Sequence, residues 1–259
     1  MGDRANLAGR GLIKFIVSFI FISLLLFIPA GTIRFSNAWL FLSLLFIPMF
    51  LIGLILLYTN PDLLRRRLYS KEKETTQRKV LSFSFILFVM GFVWAGLDFR
   101  FGWSSIPFWL YIIATIVFAL GYLCYMEVLR ENKYLSRTIR IEDNQKVVNT
   151  GLYSLIRHPM YLAAILVFLS MPLVLGSIGS FFFFLAFPCI MVMRIKNEEE
   201  VIEPVLDKEE EKPFVFNEID FFAFCLYGVS AICLLFVFNP FIEFVFALLF
   251  CIVFWSDAP

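Results

Sequence analysis

Eight stretches of this chain, residues 12–30, 38–58, 80–97, 107–129, 159–175, 178–193, 219–238 and 241–255, are apolar for 15 to 23 residues at a time. The hydrocarbon core of a bilayer is roughly 30 Å thick and takes about 20 helical residues to cross. Backbone groups inside it must be satisfied within their own segment, which repeated apolar runs of this length achieve as helices. A single soluble core cannot absorb them, because 61% of the 259 residues are hydrophobic and 34 are phenylalanine. The expected fold is therefore all-α, a polytopic transmembrane helical bundle. The fifth, sixth and eighth runs are short enough to be tilted, half-buried or re-entrant.

The first run follows Arg4, Arg10 and Lys14 and resembles a signal peptide in that respect. Its apolar stretch is longer than a usual signal core, and Pro29-Ala30-Gly31 is a weak cleavage site, so it reads as a retained helix. Of the 22 Lys and Arg residues, 20 fall in the amino-terminal segment and the loops 60–79, 130–158 and 194–218, leaving only Arg34 and Arg100 for the other side. The positive-inside rule then puts both termini and these loops in the cytoplasm. The five cysteines, Cys124, Cys189, Cys225, Cys233 and Cys251, all sit inside apolar runs without a CxxC pair. They read as small core residues, neither disulfides nor metal ligands. Neither a metal nor a nucleic acid is expected as a partner.

Three regions follow from this pattern: a four-helix part over 1–130, a core over 131–202, and an acidic linker with two further apolar segments over 203–259. Asn60-Pro61-Asp62 stops the second helix, and RRRLYSKEKETTQRK behind it reads as a basic loop against lipid headgroups. In 130–150 the string RTIRIE alternates polar with apolar and suggests a short extended element. Gly176-Ser177-Ile178-Gly179-Ser180 is a tight turn that makes a hairpin of the fifth and sixth helices. The sixth helix can continue to Ile202, before Pro204 ends or kinks it.

The residues able to do chemistry collect at the cytoplasmic end of that hairpin. Pro159 suits the first turn of a helix, which places His158, the one histidine of the chain, at or beside the N-cap. The open N–H groups and positive dipole end there suit an anion such as a ligand carboxylate. His158 and Tyr161 share a helical face, and Tyr153 sits in a loop able to fold over it. Arg194 and Glu198, four apart at the end of the sixth helix, face the start of the fifth across the hairpin. Singly, these are ordinary features: an interfacial cap, a snorkelling Arg157, a surface ion pair worth a few tenths of a kcal/mol. Their coincidence at one membrane-level pocket points to a zwitterionic, partly apolar cofactor.

NQKVVNTGLYSLIRHPMYL, followed about thirty residues later by RIKNEEEVI, resembles the integral-membrane methyltransferases related to isoprenylcysteine carboxyl methyltransferase and phosphatidylethanolamine N-methyltransferase. A GxY loop, RHPxY and RxxxEE occur in that order, and the resemblance covers about 107–202. It implies S-adenosylmethionine bound at the cytoplasmic face by Gln145, Lys146, Val147, Val148, Tyr153, His158, Pro159, Met160, Tyr161 and Glu198. It puts Arg194 opposite the methyl acceptor, a lipophilic small molecule or lipid arriving from the bilayer. A carboxylate acceptor needs no general base, and Arg194 can orient it bidentately. An amine acceptor would need a carboxylate such as Glu199 to take a proton.

After the glutamates the chain departs from the resemblance. A glycine- and tyrosine-containing closing segment is replaced by EPVLDKEEEKPFVFNEIDFF and two more apolar runs. Two other readings stay open: a nicotinamide-dependent membrane reductase of sterol or enone type, against which RxxxEE argues, and a non-catalytic membrane protein that keeps the pocket.

Overall fold

The computed structural model describes residues 2–68, 75–132, 150–156 and 158–202. These form α1 (Gly2–Ala30), α2 (Ser36–Thr59), α3 (Pro61–Leu68), α4 (Thr75–Phe101), α5 (Phe108–Glu131), a 3-10 turn (Gly151–Ser154), α6 (Pro159–Leu175), α7 (Ile178–Phe184) and α8 (Ala186–Ile202). The protein is an all-α polytopic bundle. Its helices α1, α2, α4 and α5, and the continuous segment Ile178–Asn197, are long and apolar enough to cross a membrane. The expected segments 219–238 and 241–255, the extended element within 133–149 and Arg157 lie outside the described residues.

Sequence pattern explains where the helices stop. The chain leaves α2 at Asn60, whose side-chain oxygen accepts from the Leu63 N–H at 3.1 Å, so Asn60 both ends α2 and opens α3. Pro61 then occupies the first position of α3, where its missing N–H costs nothing. This corrects the expectation of a loop over 65–68. The buried Leu63 holds one face of α3 against α2 while Arg65, Arg66 and Arg67 complete its last turn, where cations suit the negative helix end.

The sixth apolar run is one span with a single-residue interruption, Leu185, which itself keeps right-handed helical angles. It divides there into α7 and α8. Pro188 has no N–H to give the Phe184 carbonyl, so the regular ladder cannot pass that point unbroken. The turn before it is as the sequence suggests: Gly176 closes α6 in the left-handed region (φ 84°), and the Ser177 hydroxyl accepts from the Ser180 N–H at 3.1 Å to start α7.

Packing is most extensive between α5 and α6, then between α1 and α4 and between α4 and α7. At Gly121 the two backbones come so close that a Cβ would sit 3.2 Å from the Ala163 carbonyl oxygen of α6, a small-residue contact typical of helices in lipid. The mid-height core is built of rings. Phe92 packs on Phe41, Phe88 and Phe184, and Phe187 meets Phe88, Phe168 and Phe184, with centroids 4.5–6.1 Å apart. Offset and edge-on ring pairs of this kind add about 0.5–1.5 kcal/mol each beyond burial. Residues such as Ile13, Val17, Ile55, Phe83 and Leu123 point outward to the lipid.

Candidate active site

The site is assembled around the first turn of α6. His158 is its N-cap by backbone geometry: its carbonyl accepts from the Tyr161 N–H at 3.0 Å, while its imidazole makes no capping bond. His158 thus gives the helix start no side-chain cap; Pro159 has no N–H and those of Tyr161 and Leu162 go to the His158 carbonyl, which leaves the Met160 N–H as the first-turn donor for an anion among the described residues. The His158 and Tyr161 rings lie 5.7 Å apart, as their spacing of three requires. They are not equivalent, because Tyr161 is buried and His158 is half-buried. Tyr161 therefore forms a wall, and His158 is the more exposed of the two rings.

Met160 and Tyr153 meet on a hydrophobic cluster formed by Ile52 and Leu56 of α2, Leu63 of α3, and Val128 and Leu129 of α5. The 3-10 turn is tied to the end of α5 at two points. Asn132 donates to the Tyr153 hydroxyl at 3.0 Å, and the Thr150 hydroxyl donates to Glu131 at 2.5 Å. Gly151 takes a positive φ of 55°, and a Cβ there would sit 2.9 Å from the Glu131 carboxyl carbon. Only glycine meets both demands, which explains the glycine of the GxY string.

One member of the site was not legible as such. Arg67 of α3 donates to the Tyr125 hydroxyl of α5, lies over the Tyr125 ring at 5.2 Å, and reaches the Met160 sulfur at 3.7 Å. A basic triplet after a proline reads as an orientation signal. Its packing role follows only from α3, whose Asn60-Pro61 start and apolar Leu63, Leu64 and Leu68 were the available clue.

Arg194 lies on α8, which packs against α6. Counted outward from the Gly176 turn at about 1.5 Å per residue, Arg194 reaches the level of the α6 start. Its Nε is buried, so the guanidinium stem points into protein. Glu198 and Glu199 continue α8 by one to two turns, with side chains beyond the described part, and Gln145, Lys146, Val147 and Val148 also lie outside it. The described geometry thus brings Tyr153, Pro159, Met160 and Tyr161 together with His158, and sets Arg194 at their depth.

Residues 109–209, from the start of α5 to beyond α8, match the family model for phospholipid methyltransferases. Over that stretch, less than half of the chain, the protein is similar to phospholipid methyltransferases. The matched stretch includes the α5 part of the cluster around Met160, while α2 and α3 complete that cluster from the amino-terminal side. No curated protein and no solved structure matches the chain.

Proposed function

We propose that the protein is an S-adenosylmethionine-dependent methyltransferase acting on a lipophilic acceptor, with the carboxylate of an isoprenoid- or lipid-like molecule favoured, by O-methylation at the cytoplasmic face. The carrying observation is the start of α6, where His158 stands beside Tyr161 and Met160 shares one apolar cluster with Tyr153, inside the segment that matches the methyltransferase family.

The residues present fit the cofactor. The positive end of α6 with the Met160 N–H suits its carboxylate, Glu198 suits its ammonium, and Met160 and the tyrosines suit its apolar parts. What the group supplies, when bound, is a methyl on a positively charged sulfur, and its passage to a carboxylate neutralises both charges without moving a proton. The chain's own task is alignment and exclusion of water. Arg194 is assigned to the acceptor: it sits one turn nearer the membrane than Glu198, and its planar fork matches a carboxylate. An arginine at that depth costs a few kcal/mol unless it faces a partner or a wet pocket. Were the acceptor an amine, Glu199 would be the group to take its proton. The 17 residues of α6 span only about 25 Å, so its start lies short of a full crossing and within reach of a lipid-borne group.

Isothermal titration with S-adenosylmethionine and, separately, with a reduced nicotinamide dinucleotide tests the cofactor. The native protein should bind the first only. His158→Ala and Glu198→Ala should each weaken binding about ten- to a hundredfold, the worth of one charged hydrogen bond of roughly 1.5–3 kcal/mol. Unchanged affinity in both folded variants, or binding of the dinucleotide instead, overturns the assignment.

A further inference from the structure

About 25 Å from His158, at the opposite end of α6, the bundle holds a second polar site. A cavity of about 410 Å³ is lined by Asn37, Asp98, Phe99, Phe108, Tyr111 and Gly176, among others. This volume falls in the range of about 300–1,000 Å³ of small-ligand pockets. Asp98 is the charged member of this wall and is 2% exposed. Its carboxylate accepts from the Ser104 N–H at 2.7 Å, from the Ser104 hydroxyl at 2.6 Å and from the Ser177 hydroxyl. All three donors are neutral. The nearest arginine in sequence, Arg100, turns away, its guanidinium beside Gly31 and over the Phe101 ring. Among the described residues no cation pairs with Asp98.

A carboxylate buried in a membrane protein without a countercharge is costly even near the headgroup level, and such groups mark ligand sites. Helix ends of both signs meet here: α2, α5 and α7 begin at this end while α1, α4 and α6 finish there, and α7 reaches Asp98 through the hydroxyl of its N-cap Ser177. The sign of the cavity is left to Asp98, and three of its lining side chains are aromatic. A carboxylate with ring neighbours is the chemistry that holds an organic ammonium. Trp39, Trp94, Trp103 and Trp109, four of the five tryptophans, cluster at this end, the side chains that settle at the headgroup level of a bilayer.

We infer that this cavity binds an organic ammonium group, presented by a lipid headgroup or as a free amine, at the end of the bundle remote from the methyltransferase site. The inference does not rest on the methyl-transfer reading.

The test uses the full chain in nanodiscs of phosphatidylglycerol, into which phosphatidylcholine or phosphatidylethanolamine is titrated, with soluble choline and ethanolamine in a parallel arm. Tryptophan fluorescence and the thermal midpoint are read. A saturable response to the ammonium lipids alone assigns the site to a headgroup; a response in both arms assigns it to the free amine as well. Asp98→Asn keeps the size of the side chain and removes its charge, and should weaken the response at least tenfold. Ile106→Arg, which puts a guanidinium at the cavity wall without touching the Asp98 bonds, should abolish it and decides the matter if Asp98→Asn does not fold. A native protein with no saturable response in either arm, or folded variants that titrate like the native chain, overturns the inference.

Discussion

Glycine-to-alanine substitution at two positions of the bundle should move stability in opposite directions, for a reason visible in the packing. At Gly121 of α5 an added Cβ would lie 2.7 Å from a methyl of Val167, 3.1 Å from the Val167 nitrogen and 3.2 Å from the Ala163 oxygen. Carbon atoms rest at about 3.5–4.0 Å, so the shortfall against the Val167 methyl is close to 1 Å. Two of the three neighbours are backbone and cannot rotate aside, so α5 and α6 must part. Overpacking of this kind costs about 1–3 kcal/mol. Against it stands the helix preference for Ala over Gly, about 0.8–1.0 kcal/mol. The clash wins, and Gly121→Ala should be destabilising by up to about 2 kcal/mol. At Gly53 of α2 nothing lies within 4 Å of the added Cβ, so the preference acts alone and Gly53→Ala should gain up to about 1 kcal/mol. Thermal midpoints in detergent, at about 2–4 °C per kcal/mol for a chain of this size, separate the two. Because Ala163 and Val167 follow Tyr161 by two and six residues on α6, Gly121→Ala should also weaken cofactor binding while Gly53→Ala leaves it alone. Equal shifts in both variants would refute the close approach of α5 and α6.

Further outcomes can be checked independently. Arg67→Ala should lower stability by about 1–2 kcal/mol and weaken cofactor binding several-fold, since it frees Met160 and Tyr125; Arg67→Lys should restore part of the stability and little of the stacking, as read by unfolding and titration. Arg194→Lys should leave cofactor affinity within a few-fold and cut methyl transfer by orders of magnitude in a radiolabel assay; loss of cofactor binding with turnover spared at saturating cofactor would reverse the roles of Arg194 and Glu198. Cysteines introduced at positions 72 and 142 should resist an impermeant maleimide added outside intact cells, and labelling of either would reverse the proposed orientation.

Much of this was legible because membrane length and proline position act locally. The apolar runs gave the spanning helices, and His158-Pro159 marked the start of α6 to the residue, since nothing distant competes with a proline at the first helical position. What escaped depends on contacts between remote segments. The α3 helix has eight residues, too few for periodicity to announce it, and it exists because Leu63 is buried on α2 and α5. The break at Leu185 hid inside an unbroken apolar run, with Pro188 as its one local sign. Asp98 carries no local signal, because its partner Ser177 is 79 residues away. Arg194 was found through the RxxxEE string, and its depth beside α6 follows from the hairpin.

The phenylalanine layer has a consequence for traffic through the molecule. It crosses α2, α4, α6, α7 and α8 at mid-height, and its Phe41, Phe92 and Phe184 rings are wholly shielded from solvent. Such a gasket bars water and charge from passing along the bundle axis between Asp98 and His158. Whatever occupies either end must arrive from its own side of the bundle, out of the adjoining monolayer or the water beyond it. The two ends therefore sample separate lipid pools, and a change in the composition of one leaflet is felt at one of them only.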